Sequence, residues 1–174
     1  MLVRTEQVTD IPEIHAINRA AFDAATEANL VDVLRSGAEN VVSLVAEEDG
    51  AIVGHIMFSP VQLTGAADVR SMALAPMAVV PERQRAGIGS ALVRAGLEKC
   101  QRLGIDAVFV VGHPTYYPRF GFTSASIVGF ACEFDVPDEA FMVAELVPGV
   151  LDGKTATVTF HPAFKEGDSA SPPP

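Results

Sequence analysis

The hydrophobic pattern of the chain alternates between a period of two and a period near 3.6, the marks of strands and helices in turn. Leu2 to Thr5 predicts a short strand. Thr9-Asp10-Ile11-Pro12-Glu13 reads as a helix start, with Thr9 as N-cap, Pro12 in the first turn and acids near the positive helix end. Ile11, Ile14, Ile17 and Phe22 then recur at roughly helical spacing. A second helix is predicted from about Ala25 to Leu34, with Leu30, Val31 and Leu34 inward and Gly37 as its stop. Val41 to Glu47 and Ala51 to Leu63 predict two strands around Glu48-Asp49-Gly50, where the Asp-Gly pair is a strong hairpin signal.

A second turn is expected at Gly65-Ala66-Ala67-Asp68. Ser71 to Val80 is nearly all apolar, as in a central strand covered on both faces. Pro76 interrupts it, and proline cannot donate to a central ladder, so a bulge or edge is expected there. Gly87 to Leu103 gives the clearest helix: Ile88, Leu92, Gly96, Cys100 and Leu103 share one face, Glu98 and Arg102 pair on the other, and Gly104 ends it. Asp106 to Val111 predicts another buried strand. A short turn or helix follows near Tyr116 to Phe120, then strands near Ile127 to Phe134, Phe141 to Val147 and Thr155 to Phe160. This order predicts a mixed α/β (α+β) domain with a mostly antiparallel N-terminal half. Residues 169–174 carry no large apolar side chain, so a disordered tail is expected.

Composition narrows the function classes. The 174 residues suffice for one domain without a disulfide or metal staple. Twelve Lys and Arg stand against 22 Asp and Glu, a net charge of −10. That balance argues against non-specific nucleic-acid binding and against an anionic membrane surface, since both want a cationic face. Cys100 and Cys132 are the only cysteines and form no C-x-x-C, and the four histidines have no ligand spacing, so no metal is expected. The apolar runs are too short to span a bilayer and the N-terminus lacks an apolar signal core, so a cytoplasmic location is expected.

The richest segment for chemistry is Pro81 to Ser90. An apolar strand ends at Pro81, and a basic, glycine-containing loop opens directly into the amphipathic helix. Free backbone N–H groups and the helix dipole converge at such a junction, and glycines allow an anion close approach. Arg83 and Arg85 add positive charge in an otherwise acidic chain. The combination suits a phosphate or pyrophosphate. The P-loop pattern is absent, and Leu92 stands where the dinucleotide fingerprint needs its third glycine.

Gln84-Arg85-Ala86-Gly87-Ile88-Gly89 resembles the acyl-CoA pyrophosphate loop of the GNAT superfamily of N-acetyltransferases. Tyr117-Pro118-Arg119-Phe120-Gly121-Phe122 resembles its downstream Tyr-x-x-x-Gly-Phe element. Together with Gly112 to Tyr116, Gly54 to Pro60 and Leu74 to Val79, these segments look like the subgroup of bacterial members similar to YhbS. The resemblance covers about Val3 to Val147. It implies a mixed, mostly antiparallel sheet of six to seven strands flanked by helices and splayed at the central strand. Residues 1–147 would form that domain, with residues 148–168 an extension able to add a strand.

By the same resemblance the cosubstrate is acetyl-CoA, with no metal. Arg83, Gln84, Arg85, Ala86, Gly87, Ile88, Gly89 and Ser90 would hold its pyrophosphate. Met77, Ala78 and Val79 would lie along the pantetheine arm, with a backbone N–H near Val79 facing the thioester oxygen. Tyr117 takes the place of the general acid, protonated at neutral pH with an ordinary pKa of about 10. Tyr116 is expected to pack, and Arg119 to brace the loop in preference to contacting the cofactor. The general base stays open between His55, Glu27 beside the acceptor cleft, and a water chain to bulk. The implied activity is transfer of acetyl to a primary amine, small molecule or peptide, by a monomer or homodimer. The other class that keeps the loop is a non-catalytic acyl-CoA-binding sensor or regulatory domain. The acidic excess is expected to favour a cationic acceptor by steering.

Overall fold

The computed structural model describes residues 1–166, so the predicted tail at 169–174 lies outside the described residues. Ten strands and four α-helices alternate along the described chain. In order they are β1 (Leu2–Thr5), α1 (Ile11–Phe22), α2 (Thr26–Gly37), β2 (Val42–Glu48), β3 (Ala51–Pro60), β4 (Gln62–Thr64) and β5 (Ser71–Val79). After them come α3 (Ile88–Arg102), β6 (Ala107–Val111), β7 (Thr123–Ser124), β8 (Phe130–Cys132), β9 (Phe141–Glu145), β10 (Ala156–Thr159) and α4 (Ala163–Glu166).

Seven strands form the main sheet in the order β1-β2-β3-β5-β6-β9-β7. Every neighbouring pair is antiparallel except β5 with β6. The β2–β3 hairpin closes as its Asp-Gly pair predicts. Glu48 faces Ala51, and Asp49 and Gly50 turn between them with φ of 52° and 81°. Two positive φ values in a two-residue loop match the right-handed twist of the strands on either side.

The apolar run from Ala51 to Leu63 is not one strand. It breaks after Pro60, and β4 joins β10 and β8 in a separate three-stranded sheet. That sheet closes a second core around Phe109, Phe130, Phe141, Leu151 and Val158. Residues 148–166 thus supply β10 to the smaller sheet, and α4 lays Ala163 into the layer beneath α1 and α2.

Two helical layers cover the main sheet. On one face α1 and α2 bury Ile14, Ile17, Val31 and Leu34 against Val45, Met57 and Ala78. On the other, α3 buries Ile88, Leu92, Val93 and Cys100. Each such side chain contributes about 1.5–3 kcal/mol over leaving it in water. Glycines let α3 sit close: a Cβ on Gly96 would stand 2.3 Å from the Phe58 ring. Leu103 departs from the predicted stripe and is 47% exposed, because the helix has already ended at Arg102 and Gly104 turns the chain with φ 73°. At the first helix the start falls one residue after the expected cap. Asp10, not Thr9, precedes Ile11, and its carboxylate is held by Arg4 at 2.6 Å and by the Gln7 N–H at 2.7 Å.

Candidate active site

The main sheet opens at its one parallel pair. β5 and β6 are in register only from Ser71 to Ala73 against Ala107 to Phe109, and then part. The irregularity expected at Pro76 is present on the other side of β5. Ile56 faces Met77 but Phe58 faces Leu74, so one residue of β3 opposes two of β5. Beyond this bulge the Val80 N–H donates to the Val53 carbonyl at 3.0 Å. Alternation along an antiparallel ladder then turns the backbone polar groups of Met77 and Val79 away from β3, toward the gap. The Val79 carbonyl there accepts the Gln84 side-chain amide at 3.2 Å.

The gap is a cleft of about 540 Å³. Met77, Ala78 and Val79 line it from β5, and Gly112, His113, Tyr116, Tyr117 and Arg119 from the segment after β6. Arg83, Gln84, Arg85, Gly87, Gly89 and Ser90 line it at the start of α3, and Ala21 and Phe22 at the end of α1. Of the residues expected to hold cofactor, Ala86 and Ile88 do not line it. Ile88 is buried and turned into the core near Gly54, and Ala86 is exposed on the rim. Among the described residues no aspartate or glutamate lines the cleft.

The start of α3 is built for an anion. Residues 81–87 are exposed, and the first helical bond runs from the Ala91 N–H to the Gly87 carbonyl at 3.0 Å. The N–H groups of Ile88, Gly89 and Ser90 therefore precede any intrahelical acceptor. Gly87 caps the helix with φ 87°, a left-handed value that a side chain disfavours. Gly89 is needed for space: a Cβ there would lie 2.9 Å from the Tyr116 hydroxyl and 3.4 Å from Met77. Arg83 is less free than its sequence position suggests, because its guanidinium pairs with Glu48 of the hairpin.

Across the cleft a single turn at Tyr117–Phe120 presents the second set of groups. The Tyr117 ring packs under Gly112, where a Cβ would collide with it at 2.3 Å, and edge-on to Tyr116 and Phe122 at 5.1 and 5.5 Å. Burial pushes the Tyr117 hydroxyl well above its ordinary pKa, so it stays protonated at neutral pH. Tyr116 does more than pack, since its hydroxyl reaches the helix start. Arg119 braces it, donating Nε–H to the Tyr116 carbonyl at 2.9 Å and stacking its guanidinium 4.6 Å from the ring centre.

His55 does not reach the cleft. It points under α1, is fully buried, and has both ring nitrogens engaged. Asn18 donates one amide hydrogen to the Ile14 carbonyl at 2.9 Å, which fixes its nitrogen toward His55 Nδ1 at 3.1 Å. His55 Nδ1 is therefore the acceptor, and Nε2 carries the proton toward Ser43 Oγ at 2.9 Å. The Ser43 hydroxyl in turn donates to Glu6, whose carboxylate is clamped by Arg35 at 2.6 and 3.1 Å. Burial pushes the imidazole down to about 4, against the pull of Glu6, so it is neutral at pH 7. Glu27 is also absent from the cleft lining, although its Oε2 is buried without a hydrogen-bond partner. The period-two pattern put His55 on a face with Met57, but nothing in the sequence marks which helical layer covers that face.

Comparison with known proteins agrees with this geometry. The Acetyltransferase (GNAT) family matches residues 11–122. The N-acetyltransferase YhbS of Escherichia coli is 36% identical over 165 residues, which cover 94% of this chain and 98% of that protein. The chain belongs to the GNAT family of acetyltransferases. Its reading as an N-acetyltransferase agrees with the names of its relatives, including YjhQ of Escherichia coli, 39% identical over 75% of both chains. The crystal structure of YhbS in complex with CoA superposes with a TM-score of 0.89, covering 94% of this chain and 91% of that one. A GNAT acetyltransferase from Brucella melitensis in complex with acetyl-CoA superposes with a TM-score of 0.78 at 35% identity, covering 94% and 97%. No helix among the described residues is long and apolar enough to cross a membrane.

Proposed function

We propose that the protein moves the acetyl group of acetyl-CoA directly to a primary amine, through a tetrahedral intermediate. The observation that carries this reading is the meeting of three groups in one cleft. They are the N–H donors at the start of α3, the Val79 backbone turned into the gap, and the Tyr117 side chain in the cleft wall. The YhbS and Brucella melitensis structures, solved with CoA and acetyl-CoA, support the choice of cosubstrate.

In this reading the α3 N-terminus takes the pyrophosphate, and the gap between β5 and β6 takes the pantetheine arm. The amine lone pair attacks the thioester carbonyl carbon. The oxyanion that forms faces the Val79 N–H, and one such donor is worth about 10²- to 10³-fold in rate. Collapse expels the thiolate, Tyr117 donates its proton to the departing sulfur, and a proton returned through water, equivalent to the one the amine loses, restores the Tyr117 hydroxyl. His55 is left with a structural role, because a neutral buried imidazole with both nitrogens bonded has no lone pair to offer. Among the described residues no carboxylate lines the cleft, and in this reading the amine proton leaves through water. The cationic lining formed by Arg83, Arg85 and Arg119 also means that acidic steering of a cationic acceptor acts outside the cleft, not within it.

Titration calorimetry with acetyl-CoA, followed by thiol release across amines and peptides, tests the proposal. Binding plus amine-dependent release is expected. Binding without release on any acceptor favours the sensor reading, and a folded protein that binds no acetyl-CoA rejects both.

A further inference from the structure

Among the described residues four buried side-chain oxygens lack a hydrogen-bond partner, on Asn18, Glu27, Ser59 and Ser71. Only the Glu27 oxygen belongs to a charged group. A carboxylate oxygen taken out of water without a donor costs far more than a hydroxyl or amide in the same state. Two structural roles fail to account for it. Glu27 lies in the first turn of α2, whose positive end favours an acid. That attraction is equally available to a carboxylate left in water, so it gives no reason to bury Oε2. Nor does Glu27 tie α2 to α1, as Asp32 does through His15 at 2.8 Å. No cation or donor among the described residues meets it.

Glu27 also breaks the pattern of its helix. Glu27, Leu30, Val31 and Leu34 stand at i, i+3, i+4 and i+7 on the inward face of α2, with Val31 and Leu34 fully buried. Glu27 heads that stripe at the end where Asp23–Ala25 link α2 back to Phe22 in the cleft wall. Leu30, one turn on, packs against the same buried cluster as Ala21 and Phe22. The carboxylate thus stands behind the wall that Ala21 and Phe22 form, outside a cleft whose charged lining is Arg83, Arg85 and Arg119. The reacting amine must be uncharged to attack and must enter that cleft, so it is not the partner of Glu27. We infer that Glu27 is a specificity residue that pairs with a second, cationic group of the acceptor, held outside the cleft while the reacting amine enters it. The acceptor class is then an amine that carries a separate positive charge, as a diamine does. The inference rests on the acetyl-transfer reading above.

The test compares 1,5-diaminopentane with pentylamine, both protonated at pH 7, in NMR titrations of the full-length protein. The wild type is expected to bind the diamine about tenfold more tightly, the worth of one charge-assisted contact, with amide shifts centred on residues 21–28. That preference should shrink as salt is raised. Glu27→Gln should bring the two affinities close together, and Glu27→Asp should restore part of the difference. Equal affinities in the wild type, no binding of either amine, or a preference left intact in Glu27→Gln overturns the inference. Calorimetry with acetyl-CoA on the same proteins keeps the two claims apart. Its affinity should be unchanged by Glu27→Gln, and a folded wild type that prefers the diamine through Glu27 but binds no acetyl-CoA rejects the cofactor reading instead.

Discussion

The Tyr116 hydroxyl stands 2.9 Å from the point where a Cβ on Gly89 would be. This one contact joins the start of α3 to the turn that carries Tyr117 and Arg119, so the two walls of the cleft share a boundary. A helix position that gains stability from alanine elsewhere must here stay bare.

Gly89→Ala is therefore expected to separate stability from binding. Alanine favours a helix over glycine by roughly 0.5–1 kcal/mol, so the melting temperature should hold. The new methyl displaces Tyr116 and narrows the anion site, so acetyl-CoA affinity should fall about tenfold. Thermal denaturation and calorimetry on one preparation check both. Loss of stability with affinity retained would place the Gly89 constraint in the fold and not in the ligand site.

Gly96→Ala tests the packing of α3 on the sheet. Its methyl would stand 2.3 Å from the Phe58 ring, which lies fully buried between helix and strand. Overpacking of this kind costs about 1–3 kcal/mol. Urea unfolding should show a lower midpoint with an unchanged slope.

Stability should also depend on pH through His55. The imidazole titrates near 6.5 in the unfolded chain and is pushed down to about 4 in the fold. As pH falls below 6.5 the unfolded chain takes up a proton that the fold refuses, so stability drops until about pH 4. The loss reaches at most about 3 kcal/mol, at 1.36 kcal/mol per pKa unit. Glu6 and Asp10 are both held below the usual carboxylate range, Glu6 by Arg35 and Ser43 against the opposing pull of burial and Asp10 by Arg4, so their contributions disappear only at lower pH. Unfolding free energies measured across pH 4 to 7 for the wild type and His55→Gln check this. The variant should lose the slope between pH 6.5 and 4, and an equal slope in both proteins would contradict the assignment.

How much of this was legible in the sequence follows from the range of each signal. Asp49-Gly50 dictates its hairpin through backbone chemistry alone, and Gly87 and Gly89 mark a helix start open to an anion. Pro76 marks the bulge because it cannot donate to the ladder. These features are local, and short windows carry them. The smaller sheet is not local. β4, β8 and β10 are three to four residues long and come from three distant stretches, so each is too short for a readable period. Arg83 shows the same limit: its charge is visible in the loop, but its pairing with Glu48 depends on the hairpin folding back beside it. The burial of His55 required knowing that α1 lays Asn18 on that face of β3.

The most direct test is thiol release by the wild type and Tyr117→Phe at saturating acetyl-CoA with a competent amine. Tyr117 is buried, protonated and in the cleft wall, and its hydroxyl is the group assigned to the departing sulfur. The expected result is a fall in kcat of about 10²-fold, with acetyl-CoA still bound by calorimetry. A kcat equal to that of the wild type would contradict the mechanism.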